Sequence, residues 1–387
     1  MQIELPISKS IANRWLMLQA IHGDELMPVS YSMPNDVRMM SKAIRLLGER
    51  RELRIDIGNC GTAMRFLTAY CAQLEGQTTI LDGVERMHHR PIGQLVDALR
   101  EIGADIEYLG EEGFPPLRIK GCILNKHREV TITNPQSTQF ISALLLIGVN
   151  VQTNSTSPYI YITQEVIKQY QLSPFSFHLT VEKDWSAAAF WYEYVALHGG
   201  EITLPGLFCD SLQGDKVVAD IFAHLGVHTI YTDEGITIKK DNEFLIQQHK
   251  QLNPTTLRGN QLPAAPGAKA NNPCRSRELI RAEVVDIVVD NTLSLDFANC
   301  PDLYPVVALT CERLGIELHA TGVESLPLKE SDRLRAVAEH RADADHRMAM
   351  ALLIAGYEVD DTTCISKSYP QFLEHFHQLQ ENNCLHS

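Results

Sequence analysis

One arrangement occurs twice in the chain and restricts its fold more than any other feature. Leu95 to Ile102 has helical apolar spacing, Gly103-Ala104 ends it, and Asp105 to Leu109, a glycine-rich turn and Leu117 to Lys120 read as a two-stranded ribbon. Val217 to Leu225, Gly226-Val227, His228 to Tyr231, Asp233-Glu234-Gly235 and Ile236 to Lys239 repeat that order. Glycine just past a helix supplies the left-handed residue that ends it. A duplicated helix, glycine and hairpin predict an α/β fold made of repeated units. The hairpins argue against a purely parallel sheet. A length of 387 residues exceeds what one core usually holds, so two domains are expected.

A second recurring device is a cation or hydroxyl at a helix start. Ser8-Lys9-Ser10-Ile11-Ala12-Asn13-Arg14 leads from the strand-like Met1 to Leu5, through Pro6, into a helix marked by Trp15, Leu16, Leu18 and Ile21. Ser8 or Ser10 can cap it. Lysine there opposes the helix dipole unless an anion lies between Lys9 and the free N–H groups. Arg14, on the face of Ser10, could hold a second oxygen group; a solvated Lys and Arg explain the heptapeptide equally well. The strand Leu53 to Ile57 delivers Gly58-Asn59-Cys60-Gly61-Thr62 to another helix, a glycine turn that allows close ligand approach or is simply tight. It has neither the P-loop ending nor the dinucleotide fingerprint. Arg90-Pro91-Ile92-Gly93 opens a helix from Gln94 to Ile102, and Ser137-Thr138-Gln139 precedes one from Phe140, as caps or as ligand contacts.

In the second half, Glu182 to Ser186 caps a helix reaching Leu197, and 253–277 is polar and Pro/Gly-rich, read as a long loop. Asp302 precedes the helix Leu303 to Leu314, where a carboxylate is an ordinary stabiliser. Lys329-Glu330-Ser331-Asp332-Arg333 alone reads as a solvated face, and Asp345-His346-Arg347 opens a helix to Ile354. His88-His89 and His375/His377 lack a surrounding ligand set and are read as surface histidines; no metal site is expected.

A net charge of −14 argues against nucleic acid and acidic membranes as partners, but not against a small anion in a local basic cleft. Nine cysteines without a C-x-x-C pair suit reduced thiols. No signal peptide is visible, and the longest apolar run, Phe140 to Val151, is too short for a bilayer. A cytoplasmic, soluble protein is expected.

Taken together, Ser8-Lys9-Ser10…Asn13-Arg14, Asn59…Gly61-Thr62-Ala63-Met64-Arg65, Arg90-Pro91-Ile92-Gly93, Lys329-Glu330-Ser331-Asp332-Arg333-Leu334, Asp345-His346-Arg347-Met348-Ala349-Met350 and the lysine before Tyr369-Pro370 occur in an order that resembles the 5-enolpyruvylshikimate-3-phosphate (EPSP) synthase family over nearly the whole chain. The resemblance implies a two-domain inverse α/β prism of βαβαββ units with the active site in the inter-domain cleft. Residues 9–181 would form the first domain, 1–8 and 182–387 the second, with the hinge near 8 and 182. It also implies transfer of the enolpyruvyl group of phosphoenolpyruvate to the 5-hydroxyl of shikimate 3-phosphate, releasing phosphate on the route to chorismate and aromatic amino acids. No cofactor is implied, and a monomer is expected.

Carried over by residue, the resemblance gives Lys9, Ser10, Arg14, Ser137, Thr138, Gln139, Thr156, Tyr159, Asp302, Ser325 and Lys329 to shikimate 3-phosphate. It gives Lys9, Gln139, Arg90, Arg333, Arg347, Lys367 and the backbone of Asn59 and Gly61 to phosphoenolpyruvate. Arginine forks and lysine point charges suit the phosphates and carboxylates of both. Asp302 is the expected base, and Glu330 with Lys9 the expected proton donor to the methylene carbon. Thr156 replaces a usual serine and Ser325 a usual asparagine; Ile7 stands where a small residue is usual, Phe66 where proline is common, and the connection from Leu47 to Leu53 lacks a hairpin. Two rivals stand beside this: a UDP-N-acetylglucosamine enolpyruvyl transferase, which would want a cysteine near Arg90 where none lies between Cys71 and Cys122, and a non-catalytic paralogue binding a phosphorylated metabolite.

One stretch conflicts with the expected site. Arg333 to Met350 reads as continuous helix, and the 14 residues from Arg333 to Arg347 would then separate the two arginines by about 21 Å. The repeat calls for Gly plus a hairpin after Arg333, so such a segment is expected to be missing between about Glu339 and Ala344.

Overall fold

Strand Glu52–Asp56, helix Gly61–Ala72, strand Thr78–Asp82, helix Gly93–Glu101 and strands Asp105–Tyr108 and Leu117–Lys120 form one βαβαββ unit in the computed structural model. The structure describes residues 1–47, 52–173, 182–240 and 291–384; the expected loop at 253–277 lies outside them. In this sheet 52–56 pairs parallel with 78–82, and 117–120 pairs antiparallel with both 78–82 and 105–108. Alternation sends Ile55, Leu81, Leu117, Ile119 and Ile106 inward, where all are buried with Leu95, Val96 and Leu99. Gly103 ends the helix at φ 103°, a conformation that costs a side-chain-bearing residue.

The second copy takes its first strand position from the N-terminus. Met1 to Leu5 runs parallel to strand Glu201–Pro205, with Ile3 N–H donating to Thr203 O at 2.9 Å and Thr203 N–H to Met1 O at 2.8 Å. Helix Trp185–His198 joins these positions in space, and helix Val218–Ala223 leads into the hairpin Val227–Tyr231 and Gly235–Lys240. Strand 235–240 lies between 201–205 and 227–231, antiparallel to both. A partial unit pairs Thr292–Asp296 parallel with Glu317–Thr321 across helix Tyr304–Leu314.

The buried side chains form two clusters. One runs from Ala12 to Tyr170; the other joins Ile3 and Leu5 to residues between Trp185 and Leu379. The chain passes between them at two adjacent places. Ser8 N–H donates to Glu182 O at 2.9 Å and Asp184 N–H to Pro6 O at 3.0 Å, so the two passages are paired side by side. No helix among the described residues is long and apolar enough to cross a membrane.

Candidate active site

Helix starts from both clusters meet at a cleft of about 780 Å³, a size suited to small molecules. Helix Lys9–His22 begins at Ser8, but the Ser8 hydroxyl makes no cap; it donates to Gln213 Oε1 at 3.0 Å. The free N–H of Lys9 is taken by Asp184 Oδ2 at 3.1 Å, and Lys9 Nζ pairs with Asp36 Oδ2 at 3.1 Å. The chain's own carboxylates therefore offset the lysine that opposes the dipole. Burial alone would lower the Lys9 pKa, but Asp36, Glu330 and Asp302 outweigh it and the pKa is raised.

Arg14 is spent mainly on the protein. Nε donates to Thr163 Oγ1 at 2.7 Å, Nη1 to Ser10 O at 2.8 Å, and Nη2 to Ser142 Oγ and Tyr159 O at 3.1 and 3.2 Å. Burial lowers its pKa to about 10. It thus braces Ser10 and Tyr159, which line the cleft with Ser137, Thr138, Gln139 and Thr156. Ser137 caps helix Thr138–Leu146 by accepting from Gln139 N–H at 3.4 Å, and Gln139 Nε2 donates to Thr62 Oγ1 at 3.0 Å. Burial raises the Tyr159 pKa, keeping its hydroxyl a neutral donor.

The charged wall is built around two carboxylates. Asp302 accepts from Arg333 Nη1 at 2.7 Å, Arg347 Nη2 at 2.9 Å and Lys329 Nζ at 3.5 Å. Glu330 faces Lys367 Nζ at 3.0 Å, Arg333 Nη2 at 3.2 Å and Arg90 Nη1 at 3.9 Å. Burial works against both charges, yet Arg347, Lys329 and Arg333 hold Asp302, and Lys367, Arg90 and Arg333 hold Glu330, well below the ordinary carboxylate range. Arg333 is only 1% exposed and also gives Nε to Asp345 Oδ2 at 2.8 Å. Lys367 Nζ reaches across to Asn59 O at 2.6 Å. Ser325 lines the same wall.

Opposite lie Arg65 and Arg90. Arg65 Nε and Arg90 Nε and Nη1 are buried without a hydrogen-bond partner among the described residues. Unpaired buried guanidinium N–H groups are costly in isolation and suit an incoming anion. Gly61 permits this arrangement. A Cβ there would stand 2.3 Å from Arg65 Nη1 and 2.6 Å from Arg90 Nη1.

The continuous helix expected from Arg333 to Met350 does not form. Helix Arg333–Glu339 stops at His340, whose φ is 52°, and Asp345 caps a separate helix, His346–Ile354. The turn brings Arg333 and Arg347 onto the two oxygens of one carboxylate. The separation of about 21 Å, and with it the geometric ground for a missing segment, is therefore wrong. No hairpin lies between these helices, unlike the two full units. His375 is also not a surface residue: it is half-buried with Nδ1 2.9 Å from the Tyr369 hydroxyl.

Several groups at the site escaped the sequence reading. Asp36, Asp184 and Asp345 sit in helix-start positions where an acid carries no special signal. Asp215 lines the cleft, and burial with Asp302 nearby raises its pKa to about 6. His346 lines it too, held neutral by burial and by Lys9 and Arg347, with neither ring nitrogen hydrogen-bonded among the described residues. Among the described residues no group of three or more His, Cys, Asp or Glu is placed to hold a metal.

Comparison with known proteins agrees with this architecture. The family model for EPSP synthase (3-phosphoshikimate 1-carboxyvinyltransferase) matches residues 1–268 and 337–376. A 3-phosphoshikimate 1-carboxyvinyltransferase of Bacteroides fragilis is 36% identical, covering 96% of this chain and 93% of the relative. One from Photobacterium damsela subsp. piscicida is 30% identical, over 98% and 96% of the two chains. Among solved structures, an EPSP synthase of Acinetobacter baumannii superimposes with a TM-score of 0.59 at 18% identity, over 98% of this chain and 95% of that one. The fold they share is a two-domain inverse α/β prism.

Proposed function

The chain belongs to the EPSP synthase (3-phosphoshikimate 1-carboxyvinyltransferase) family, and from that membership we propose that its cleft joins phosphoenolpyruvate to the 5-hydroxyl of shikimate 3-phosphate. It is a transferase of the shikimate pathway, serving aromatic amino acid biosynthesis. The observation that carries the assignment of the site is the convergence of Arg333, Arg347 and Lys329 on Asp302, facing the buried donors of Arg65 and Arg90 that have no hydrogen bond among the described residues.

Shikimate 3-phosphate lies against Ser10, Ser137, Thr138, Gln139, Thr156 and Tyr159, with Arg14 behind them and Ser325 and Lys329 opposite. Phosphoenolpyruvate lies between Arg90 on one side and Arg333, Arg347 and Lys367 on the other, near the backbone of Asn59 and Gly61. Lys9 and Gln139 touch both. Asp302 takes the 5-hydroxyl proton as its oxygen bonds to the central enolpyruvyl carbon. Glu330, with Lys9, delivers a proton to the methylene carbon, which becomes a methyl group. Loss of phosphate and of a methyl proton then restores the double bond. Such transfers typically contribute 10²–10⁴-fold each.

We also propose domains of residues 9–181 and of 1–8 with 182–387, hinged where the paired passages near 8 and 182 cross, in a cytoplasmic monomer. The decisive experiment measures phosphate release. It should require both substrates and survive chelation. No release with both present, release with UDP-N-acetylglucosamine in place of shikimate 3-phosphate, or loss on chelation restored by a divalent ion would defeat the assignment.

A further inference from the structure

Arg86 lies in the short 3-10 helix Glu85–His89, one turn before Arg90. Its side chain leaves the first cluster's side of the molecule and enters the turn that follows the 3-10 helix Leu326–Leu328 of the other half. Nη2 donates to Pro327 O at 3.1 Å and to Lys329 O at 3.0 Å, and Nε donates to Glu330 O at 3.2 Å. Carbonyls at the end of a helical turn have no internal partner, and a cation there also meets the negative end of the dipole. One guanidinium thus satisfies three carbonyls within four residues.

The segment it grips carries Lys329 and Glu330. Lys329 holds Asp302, and Glu330 faces Arg90 and Lys367. Arg90 directly follows the 3-10 helix that carries Arg86, its N–H donating to Met87 O at 3.1 Å, so anchoring Arg86 also fixes how far Arg90 stands from Glu330, 3.9 Å here. Lys367 completes the ring from the far side by bonding both Glu330 and Asn59 O. Every acceptor of Arg86 among the described residues is backbone, so no pairing in the sequence announces the contact.

We propose that Arg86 is a positioning residue, a clamp between the two halves that sets the Lys329-Glu330 segment in register with Arg90 and so assembles the phosphoenolpyruvate side of the cleft. The proposal rests on the substrate assignment above. The hydroxyl and amide wall formed by Ser137, Thr138, Gln139 and Tyr159 lies on the first half alone and does not depend on the clamp. Lys329 is the shikimate 3-phosphate contact on the gripped segment, so loss of the clamp weakens phosphoenolpyruvate more than shikimate 3-phosphate, whereas loss of a merely structural surface contact favours neither.

The test compares wild type, Arg86→Ala and Arg86→Lys by steady-state phosphate release with each substrate varied, and by small-angle scattering without substrates. Arg86→Ala should lower kcat/KM for phosphoenolpyruvate by about tenfold or more, the scale of losing several charge-assisted hydrogen bonds. The KM for shikimate 3-phosphate should rise by about threefold or less, since of its contacts only Lys329 lies on the gripped segment and the wall from Ser137 to Tyr159 makes no bond to Arg86. Arg86→Lys should recover part of the loss, because a point cation cannot reproduce the fork, and Arg86→Gln carries the test if the alanine variant does not fold. A folded variant with unchanged phosphoenolpyruvate parameters, or with both substrates weakened equally, overturns the clamp. Wild type that releases no phosphate overturns the substrate assignment instead. The clamp is then judged by scattering, where a larger radius of gyration in Arg86→Ala supports it and an identical profile overturns it.

Discussion

Replacing Gly61 by alanine tests whether the two guanidiniums beside it are held or merely resting there. Gly61 begins helix Gly61–Ala72, and alanine in a helix is favoured over glycine by up to about 1 kcal/mol. Against that gain stands the new methyl, 2.3 Å from Arg65 Nη1 and 2.6 Å from Arg90 Nη1. Ordinary contact lies at about 3.5 Å, so Arg90 must retreat by about 1 Å. Arg65 must do the same while losing its 3.0 Å bond from Nη1 to Gly61 O. Both residues are buried, at 3% and 8% exposure, and line the cleft, so their retreat moves the guanidiniums within the space proposed for the substrate anion. Leaving a buried charged donor unpaired costs about 1–3 kcal/mol, so the clash outweighs the helix gain.

A shift of about 1 Å in a positioning group can cost on the order of 10²-fold in rate. We therefore expect Gly61→Ala to lower kcat/KM for phosphoenolpyruvate by about 10- to 100-fold. The KM for shikimate 3-phosphate should change by about threefold or less, since Ser137 and Tyr159 lie on other elements. The assay is phosphate release with phosphoenolpyruvate varied at saturating shikimate 3-phosphate, beside a denaturant melt. A variant with wild-type stability and a wild-type KM for phosphoenolpyruvate would refute the claim that Arg65 and Arg90 are fixed against the Gly61 backbone.

Other substitutions probe other parts of the same chemistry. Asp302→Ala should lower kcat by about 10²–10⁴-fold while leaving shikimate 3-phosphate binding measurable by calorimetry; near-normal turnover would remove Asp302 from the reaction. Lys9→Met should weaken phosphoenolpyruvate and lower kcat together, and a change confined to stability would show that Lys9 only neutralises Asp36. Glu193 is fully buried, neither carboxylate oxygen has a hydrogen-bond partner among the described residues, and burial holds its pKa well above the usual 4.5. The folded chain keeps a proton that the unfolded chain releases, so stability falls as pH rises past that value. Glu193→Gln should then stabilise at about pH 7 and not at about pH 4; equal gains in melts at both would rule out titration as the cause.

Much of the architecture could be read from local rules, because the repeat is written in local terms. Helix spacing, Gly103 and Gly226 as helix ends, and alternation in the ribbons each act over a few residues, and all recur in the structure. The break at His340 obeys no such rule. His340, Asp343 and Ala344 all adopt positive φ, at 52°, 48° and 56°, without a glycine or proline to signal it. The cap at Asp345 was visible, yet a run of Arg, Ala, Val and Glu before it suits a helix so well that propensity pointed the wrong way. The acids of the site were hidden for a different reason. Asp36, Asp184 and Asp345 each stand at a helix start, where a carboxylate is ordinary. Only the turn that folds Arg347 back toward Arg333 shows that Asp302 serves both.

That convergence gives the proposed chemistry its electrostatic logic. Asp302 and Glu330, the two carboxylates assigned to proton transfer, are the ones the site's cations hold most firmly ionised. In that condition each is a weak base, since Arg347, Lys329 and Arg333 stabilise the Asp302 charge and Lys367, Arg90 and Arg333 that of Glu330. On the proposed assignment, phosphoenolpyruvate brings a phosphate and a carboxylate to four of those cations: Arg90, Arg333, Arg347 and Lys367. Each cation shared with the substrate holds its carboxylate less tightly, and negative charge nearby raises the carboxylate's pKa further. Substrate bound in this way would make Asp302 a better acceptor and Glu330 easier to protonate at the moment both are needed. The acids that satisfy the buried arginines before the reaction then become, on the proposed assignment, the groups that carry its protons.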